Sequence, residues 1–438
     1  MRYSAKITNR SSAVSRFRTL PGALLLIIAA ASVTSLAGPL DPPIGAVTPT
    51  GKTLIEVEPR TAVNATNTPG NSSALFRITQ SGSYYLTGNV VGVAGRHGIE
   101  IATSGVTLDL NGFEVIGAGS TSGAWDGIRT SISTKNVTVR NGRVRSWGDD
   151  GIDLANITNS TGARVEGVQS TGNGGTGILC STANGQVLDS TASENGDTGI
   201  SAARLIRGCT AVDNAGIGLA VGQGGSIIDS TAFSNDDDGL RTGFGCTVVN
   251  CTSDNNVGDG IEASNGTTIT ASSFYANGGS GINVFSSITI RNCTAVSNTL
   301  YGIDSDTSCH IEGCSAIANV LGGIRIGSRG VVRNCVANSN AVGVEVGAGI
   351  LGTGSDTRIE GNSCNNNDVG IDIDGTGNII IANTCASNTQ AFTIAADNFY
   401  GPIIDRRIPL AIPGAAAVTG FSAASTMGST DSRANFAQ

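Results

Sequence analysis

The chain has 438 residues, of which 62 are Gly and only 4% are aromatic, and its formal net charge at pH 7 is −8. So few aromatic residues argue against several ordinary globular cores, and the abundance of Ile, Val and Leu argues against a disordered chain. The acidic balance argues against nucleic acid as a partner, because phosphate binding needs a basic face.

Residues 1–37 are predicted to form an export signal. An apolar stretch from Leu20 to Val33 precedes the small residues Ser35 and Ala37, and the basic residues before it are Arg2, Lys6, Arg10, Arg16 and Arg18. Removal of this segment leaves 21 basic against 34 acidic residues, a net charge of −13. We therefore expect a secreted protein, extracellular or at the cell surface, with no transmembrane segment after signal removal. The alternative is an uncleaved amphipathic N-terminus.

A dipeptide of Gly followed by Ile, Leu or Val recurs from Ile99 to Ile371, and between Leu219 and Ile324 its copies are 21 residues apart. A 21-residue period that holds three short β-branched runs is too short for repeats of paired helices, and the Leu ladders of leucine-rich repeats are absent. The pattern predicts an all-β chain, a single-stranded right-handed parallel β-helix (solenoid) of about thirteen coils.

Alignment of the coils on the repeated Ile predicts which positions face inward. The residue eight positions after the Ile is apolar, the residue eleven positions after it is small or sulfur-bearing, and the residue sixteen positions after it is Asn. Parallel coils stack identical side chains about 4.8 Å apart, so the Asn column is expected to form a hydrogen-bonded ladder. The columns run Ile227, Val248, Ile269, Ile290, Ile311, Val332; Ser230, Cys251, Ser272, Cys293, Cys314, Cys335; and Asn235, Asn256, Asn277, Asn298, Asn319.

The segments on either side of the repeats are predicted to cover the ends of the solenoid, which would otherwise be open sheet edges. Residues 38–83 contain six Pro and are expected to be an N-terminal wrapping and cap segment. Residues 84–397 are assigned to the β-helix. Residues 398–438 are small and polar towards the end and are expected to form a C-terminal cap and a flexible tail.

The residues before and within the first coils carry a family resemblance. They are the stretches Phe76-Arg77-Ile78, Gly82-Ser83-Tyr84-Tyr85-Leu86 and Gly105-Val106-Thr107-Leu108-Asp109-Leu110-Asn111-Gly112-Phe113, followed by the Gly-Ile coils. The chain resembles the pectate-lyase-like superfamily of right-handed parallel β-helix proteins, and more closely the uncharacterised secreted bacterial β-helix repeat proteins. This resemblance implies the fold, but the superfamily holds lyases, hydrolases, epimerases and surface proteins, so it implies no single activity.

Two tryptophans and a dense group of carboxylates mark the second and third coils as a candidate carbohydrate site. Aromatic rings pack on sugar C–H groups while carboxylates bind hydroxyls, so these residues together predict a sugar platform. We assign the catalytic role to Asp126, Asp149 and Asp150. The residues assigned to substrate binding are Trp125, Arg129, Trp147 and Asp153.

The layout of Asp126 and Asp149-Asp150 resembles that of the polygalacturonase-type glycoside hydrolases, which implies hydrolysis with inversion by one protonated and one ionised carboxyl. The chain departs from that family where a His between two glycines is expected, because it has Gly175-Thr176-Gly177 there, and it lacks the family's Arg-x-Lys pair. His97 is interpreted as a turn residue. The alternative is that Asp-Gly-Ile is simply the turn consensus of the chain, as Asp259-Gly260-Ile261 indicates.

A second acidic group on later coils predicts a site for a hard cation such as Ca²⁺. Its assigned ligands are Asp236, Asp238, Asp259 and Glu262, with Arg241 nearby. Calcium beside an Arg would suit a pectate-lyase-like elimination. The alternative is a solvated acidic turn that binds nothing tightly.

The ten cysteines are compatible with two local disulfides or with unpaired buried thiols, and both alternatives stay open. The sequence therefore supports two functions: a protein that binds or modifies an extracellular polysaccharide along its flank, and a structural or adhesive surface solenoid without catalysis. It leaves open whether the chain is an enzyme, and it does not indicate the oligomeric state.

Overall fold

The structure, a computed structural model, describes residues 58–155, 159–341, 347–405 and 431–437. The predicted export signal lies outside the described residues, as do residues 38–57 of the predicted cap and residues 406–430 of the predicted tail. The described chain is built of β-strands with no α-helix, which confirms the predicted all-β parallel solenoid. In particular, it contains no helix long and apolar enough to cross a membrane.

Two parallel sheets form the walls of the solenoid. The first sheet takes one strand from each coil. In most coils the repeated Ile, which follows the Gly of the turn, is the first side chain of the strand that points inward, and inward and outward positions alternate after it. The strands of the first sheet are Ala74–Ile78, His97–Ile101, Ile128–Thr130, Ile152–Asp153, Ile178–Cys180, Ile200–Ala202, Leu219–Val221, Leu240–Thr242, Ile261–Ala263, Ile282–Val284, Tyr301–Ser305, Gly322–Ile326, Ala348–Gly352, Val369–Ile373 and Gln390–Ile394.

The second sheet takes two short strands from most coils, and these form two columns. In many coils two residues separate the two strands, and the first of them has a left-handed backbone, for example Asn250 at φ 54° and Asn292 at φ 52°. The first column is Thr61–Ala62, Gly82–Tyr85, Val106–Asp109, Gln186–Leu188, Leu205–Arg207, Ser226–Ile228, Thr247–Val249, Thr268–Thr270, Thr289–Arg291, His310–Glu312, Val331–Arg333, Arg358–Glu360, Ile379–Ile381 and Phe399–Tyr400. The second column is Val90–Val91, Glu114–Ile116, Thr191–Ser193, Thr210–Val212, Thr231–Phe233, Thr252–Asp254, Ser273–Tyr275, Thr294–Val296, Ser315–Ile317, Val336–Asn338, Ser363–Asn365, Thr384–Ala386, Asn435–Ala437 and Ile403–Asp405. The long strands Thr138–Arg145 and Arg164–Thr171 contribute to both columns.

The number of coils differs from the predicted value of about thirteen. Within the described residues the first sheet has 15 strands, one for each coil. The additional coils lie at the two ends, where Phe76 pairs with Ile99 and Phe392 pairs with Ile371. The Gly-Ile dipeptide does not reveal these coils, because an aromatic residue takes the inward position of the Ile.

The predicted inward columns form one continuous core along the described solenoid. The repeated Ile or Leu from Ile99 to Ile371 is fully buried in the described coils, and the apolar column from Ile227 to Val332 is also 0% exposed. The core is only a few side chains wide, so each coil gains most of its burial from the coils directly above and below it.

The Asn column forms the predicted ladder. The backbone nitrogen and the side-chain nitrogen of Asn256 both donate to Oδ1 of Asn277, at 3.1 and 3.0 Å. Asn277 in turn donates in the same way to Asn298, at 3.0 Å for both nitrogens. The ladder satisfies the buried polar groups of each turn, which would be costly to leave without partners. It runs through Asn173, Asn195, Asn214, Asn235, Asn256, Asn277, Asn298, Asn319, Asn340, Asn367 and Asn388.

Residues 431–437 close one end of the described solenoid. The strand Asn435–Ala437 lies between Thr384–Ala386 and Ile403–Asp405 and pairs in parallel with both, although it follows them in sequence. Oδ1 of the fully buried Asn435 accepts a hydrogen bond from the backbone nitrogen of Asn383 at 3.0 Å. Within the predicted cap and tail segment 398–438, residues Asn435–Ala437 are therefore a strand of the second sheet.

All ten cysteines lie in the described residues, and all are buried and unpaired, so the structure decides for thiols against local disulfides. Cys293, Cys314 and Cys335 stack on successive coils in the predicted small column, where each thiol packs as a small apolar group.

We predict that the thiols of the folded chain are protected from reagents. With Ellman's reagent, native protein should show almost no fast-reacting thiol, and protein unfolded in guanidinium should show all ten, because burial blocks the thiols and raises the pKa of groups such as Cys180. A mass spectrum showing disulfide-linked peptides would contradict this assignment.

Removing one rung of the Asn ladder should destabilise the solenoid strongly. Asn277→Ala leaves the backbone nitrogen of Asn256 without its acceptor, so we expect a loss of about 3 kcal/mol in the free energy of unfolding, measured by urea denaturation. The matched control is Ser273→Ala on the same coil, where an exposed side chain should change stability by less than about 0.5 kcal/mol. Equal stabilities for the two variants would contradict the structural role of the ladder.

Candidate functional site

The candidate site lies at the turn that enters the first sheet, at the position two residues before the repeated Ile. At this position a side chain of one coil contacts the backbone of the next. Oδ1 of Asp126 accepts a hydrogen bond from the backbone nitrogen of Asp150 at 3.2 Å, and Oδ1 of Asp150 accepts one from the backbone nitrogen of Thr176 at 2.6 Å. The parallel register therefore stacks Asp126 and Asp150 on adjacent rungs, as their positions before Ile128 and Ile152 predict.

Asp126 is almost completely withdrawn from solvent, with 4% of its surface exposed. Burial raises its pKa to about 7, and the carboxylates of Asp153 and Asp150 add to the rise, while Arg129 opposes it. At neutral pH this carboxyl group is therefore divided between its protonated and its ionised form.

Asp149 and Asp150 complete a group of three carboxylates with Asp126. One oxygen from each residue lies within 4.8 Å of the others, and this is the one such group of three acidic, His or Cys residues among the described residues. Burial raises the pKa of Asp150 to about 7, and Asp149 and Asp153 add to the rise. A Cβ atom at Gly175 would lie 2.6 Å from an oxygen of both Asp149 and Asp150, so a Gly at this position keeps the space beside them open.

His97 belongs to this site, although its sequence position suggested only a turn. Its Nδ1 accepts a hydrogen bond from the backbone nitrogen of Asp126 at 2.9 Å and lies 3.3 Å from Oδ2 of the same residue, and its Nε2 lies 2.8 Å from Nη1 of Arg129. Burial and the Arg129 guanidinium lower the pKa of His97 to about 4, so the imidazole is neutral at pH 7. The only sequence signal for this role is that His97 stands two residues before Ile99, the same position that Asp126 and Asp150 take in their coils.

The two tryptophans are in different environments. Trp125 is half-buried, and its ring meets the His97 ring edge-on with 4.9 Å between centroids. Trp147 is 1% exposed, and its indole nitrogen donates to the carbonyl of Val115 at 3.1 Å. Its ring fills space beside Gly92 and Gly98, where a Cβ atom would lie within 3 Å of the ring.

The predicted sugar platform therefore needs a correction at Trp147. A platform requires an accessible ring face, and Trp147 is part of the core. In sequence Trp147 stands where later coils have the ladder Asn, and its backbone nitrogen donates to Oδ1 of Asn173 at 3.1 Å, so it begins that ladder. Trp125 is the tryptophan that a ligand can reach.

The other predicted binding residues lie next to the carboxylates on the outward column of the first sheet. Arg129 pairs in register with Asp153, and Asp153 is 5% exposed. Nη1 of Arg129 lies 3.6 Å from Oδ2 of Asp126, while its Nε is buried without a hydrogen-bond partner. The structure thus brings together Trp125, Asp126, Arg129, Asp149, Asp150 and Asp153 as predicted.

The four predicted calcium ligands do not gather into one group. Asp236 is exposed, Asp238 pairs with Arg241 at 2.6 Å, and Arg241 also contacts Glu262 at 2.8 Å. Asp259 uses one oxygen to accept from the backbone nitrogen of Ser280 at 2.6 Å and the other to accept from Asn283 at 2.7 Å. Calcium binding at Asp236, Asp238, Asp259 and Glu262 remains a sequence prediction. Protein groups contact the carboxylates of Asp238, Asp259 and Glu262, and Asp236 is exposed.

A polar groove begins beside the carboxylates. It has a volume of about 640 Å³ and is lined by Ser120 and Thr121 on one side and by turn residues of successive coils on the other. Gly174 lines the groove and directly precedes Gly175, which abuts Asp149 and Asp150. Ser120 and Thr121 belong to the longer connection between Glu114–Ile116 and Ile128–Thr130, so the extra residues of this early coil build one wall of the groove.

Comparison with solved structures finds other β-helix proteins at low similarity. The A-module of the mannuronan C-5 epimerase AlgE4 of Azotobacter vinelandii is 17% identical over 73% of this chain and 90% of that one, with a TM-score of 0.38. PfbA, a surface adhesin of Streptococcus pneumoniae, is 11% identical over 70% of this chain and 76% of that one, with a TM-score of 0.26. At these identities and scores, nothing about the chemistry of this chain follows from either protein. No curated protein matches the sequence.

The family comparison is more specific. The model of the right-handed β-helix region matches residues 126–287 and 245–350, which together span about half of the chain and include the carboxylate site. With the parallel pairing of every described coil, this match establishes that the chain belongs to the right-handed β-helix family.

Proposed function

We propose that this protein binds and modifies a polysaccharide, with acid–base chemistry at Asp126, Asp149 and Asp150. The observation that carries the proposal is the group of three carboxylates within 4.8 Å, in which the pKa values of Asp126 and Asp150 rise to about 7. A carboxyl group with such a pKa can hold a proton at neutral pH and release it to a leaving group, which an ordinary surface Asp cannot do.

The exposure of the three residues suggests their roles. Asp149 and Asp150 are partly exposed, so they are the two that a sugar can touch. Asp150 is the proton donor to the glycosidic oxygen, and Asp149 is the carboxylate that attacks the anomeric carbon as the protonated leaving group departs. Water then hydrolyses the glycosyl–enzyme ester, with Asp150 accepting its proton. Asp126 lies behind them, and its charge helps to keep a proton on the group.

The spacing bears on the stereochemical course. Hydrolysis with inversion needs carboxyl groups roughly 6.5–9.5 Å apart to admit a water molecule, whereas retention needs them about 5–5.5 Å apart. Oxygens within 4.8 Å of one another suit the shorter spacing better. The proposal therefore departs from the inversion that the polygalacturonase-type resemblance implies.

The surroundings favour a polysaccharide over a small ligand. The groove beside Gly174 extends the site over several coils, and the half-buried Trp125 offers an aromatic edge at the other side. Ser, Thr, Asn, Asp and Glu residues line the groove, and such side chains can form hydrogen bonds with the hydroxyl groups of an extended glycan.

One observation supports the alternative of a structural or adhesive solenoid. Asp238 and Asp259 hold the same turn position as Asp126 and Asp150, and Oδ1 of Asp238 accepts a hydrogen bond from the backbone nitrogen of Asp259 at 2.8 Å. An Asp at this position therefore has a structural use in the chain that requires no catalysis.

The experiment that separates these functions compares Asp150→Asn with Asp259→Asn. Both variants keep a side-chain oxygen that can accept the backbone hydrogen bond of the next coil, but only the first removes an acid from the three-carboxylate group. Mature protein is incubated with a polysaccharide panel, with and without Ca²⁺, and product release is measured as reducing ends or unsaturated sugars. We expect Asp150→Asn to lose at least about 100-fold in activity and Asp259→Asn to retain it.

Other outcomes of the same experiment are decisive. Equal losses in both variants would assign the Asp residues a structural role, and binding without product release in the wild type would leave a glycan-binding solenoid. Absence of both binding and turnover across the panel would reject the proposed function in favour of the structural one.

The raised pKa values also predict the pH dependence of stability. The folded-state pKa values of Asp126 and Asp150, about 7, lie above the ordinary value of about 3.9, so the folded chain binds more protons than the unfolded chain between these values. The free energy of unfolding contributed by these groups is therefore largest near pH 4 and falls as the pH rises towards 7. In urea denaturation across this range, Asp150→Asn should show a smaller fall than the wild type; parallel curves would contradict the raised pKa of Asp150.

A further inference from the structure

The polar groove beside the candidate site is lined by acids and by no base. Glu194, Asp213 and Asp236 are among its lining residues, and none of the residues that line it is Lys, Arg or His. All three acids are exposed. At its near end the groove adjoins the three-carboxylate group. A ligand that lies in the groove therefore meets negative charge along much of its length.

The three groove acids lie on consecutive coils. The backbone nitrogen of Glu194 donates to the carbonyl of Val212, the residue before Asp213, at 3.1 Å, so the two acids hold the same position on adjacent coils. Asp236 lies one coil further, because its backbone nitrogen donates to the ladder Asn of the coil of Asp213 at 2.9 Å. Neighbouring coils are about 4.8 Å apart. A polymer that runs along the groove thus passes one of these acids on each of three successive coils.

The protein does not balance the charge of these acids. Among the described residues, no donor contacts the carboxylates of Glu194, Asp213 or Asp236. Acids on the outer faces of the sheets are in several cases paired with Arg, as Asp109 is with Arg140 at 3.0 Å. The carboxylates of the groove therefore keep their full capacity to accept hydrogen bonds from a ligand.

A single metal ion does not account for the arrangement of the groove acids. An ion needs its ligand atoms close together, and within the described part of the chain the one group of three acidic, His or Cys residues with ligand atoms within 4.8 Å is Asp126, Asp149 and Asp150. Acids that are spread over successive coils fit a ligand that carries its own positive charges at intervals.

We propose that the polysaccharide bound in the groove is cationic and carries free amino groups on its sugars; this inference rests on the proposed function and names its substrate class. A protonated amino group donates charge-assisted hydrogen bonds to carboxylates, and these are roughly twice as strong as hydrogen bonds between neutral groups. The acids on successive coils bind the amino groups of successive parts of the polymer. Ser120 and Thr121 on the other wall bind its hydroxyl groups.

The same charge disfavours a polyuronate. Its carboxylates would face the carboxylates of the groove, and like charges across an interface are unfavourable. Enzymes of the polygalacturonase type act on such an anionic polymer. The proposal therefore departs from that resemblance in the substrate as well as in the spacing of the carboxyl groups.

The test compares oligosaccharides that differ in charge. Oligomers of glucosamine and of galactosamine are each used with free and with N-acetylated amino groups, and oligogalacturonate is the anionic counterpart. Binding to the mature protein is measured by isothermal titration calorimetry at mildly acidic pH, at low and high salt, with and without Ca²⁺. We expect the free-amine form of at least one backbone to bind at least about tenfold more tightly than its N-acetylated form at low salt, and the difference to shrink at high salt because salt screens exposed charges.

A pair of double variants locates the binding site. Glu194→Gln with Asp213→Asn removes two charges from the groove, and Asp189→Asn with Asp229→Asn removes two charges from turn residues outside it. All four residues are exposed and have a left-handed backbone, with φ between 47° and 55°. We expect the groove variant to lose at least about tenfold in affinity for the free-amine oligomer that the wild type binds, and the control variant to bind like the wild type.

The proposal is overturned if no free-amine oligomer binds, if N-acetylated oligomers or oligogalacturonate bind as tightly, or if both double variants lose affinity equally. Failure of the proposed function gives a different result. Binding of the free-amine oligomer without turnover would reject catalysis and keep the cationic ligand. Turnover of a neutral or anionic polymer that is lost in Asp150→Asn would keep the proposed function and reject the cationic substrate.

Discussion

The constraint on which the whole structure depends is the in-register stacking of parallel coils. The buried polar groups of each turn must form hydrogen bonds with the next coil, because the narrow core offers no water and no other partner. The Asn ladder does this at one turn, and the side chain two residues before the repeated Ile does it at the neighbouring turn. The Asn ladder continues from coil to coil, whereas the second contact is made where this position is His97 or an Asp.

The candidate site is a local modification of the same device. Where later coils place Thr176 or Ser280, the coils of Ile128 and Ile152 place Asp126 and Asp150, so the stacking that satisfies the backbone also brings two acids together. Burial then raises their pKa values, since a carboxylate withdrawn from water is costly to ionise. An Asp at this position of two adjacent coils is therefore enough to create carboxyl groups with raised pKa values, and the backbone of the coils stays the same.

The two acidic turns differ in how closely an Arg approaches the carboxylate. Arg241 forms a direct ion pair with Asp238 at 2.6 Å, whereas the shortest contact of Arg129 with Asp126 is 3.6 Å. Burial and the carboxylates of Asp153 and Asp150 therefore raise the pKa of Asp126 more than Arg129 lowers it.

The sequence by itself determined the period, the inward columns and the Asn ladder, because stacking repeats each side chain at a fixed spacing that can be read directly from the residues. It also predicted that Asp126 and Asp150 lie on adjacent rungs, since their offsets from the repeated Ile fix their positions. Only the tertiary structure decided which side chains are accessible, burying Trp147 and exposing part of Trp125. It alone brought His97 to Asp126, and among the described residues it gathered Asp126, Asp149 and Asp150 but not the predicted calcium ligands. Burial and contact across coils depend on the residues above and below a position, and a repeat pattern along one chain does not contain that information.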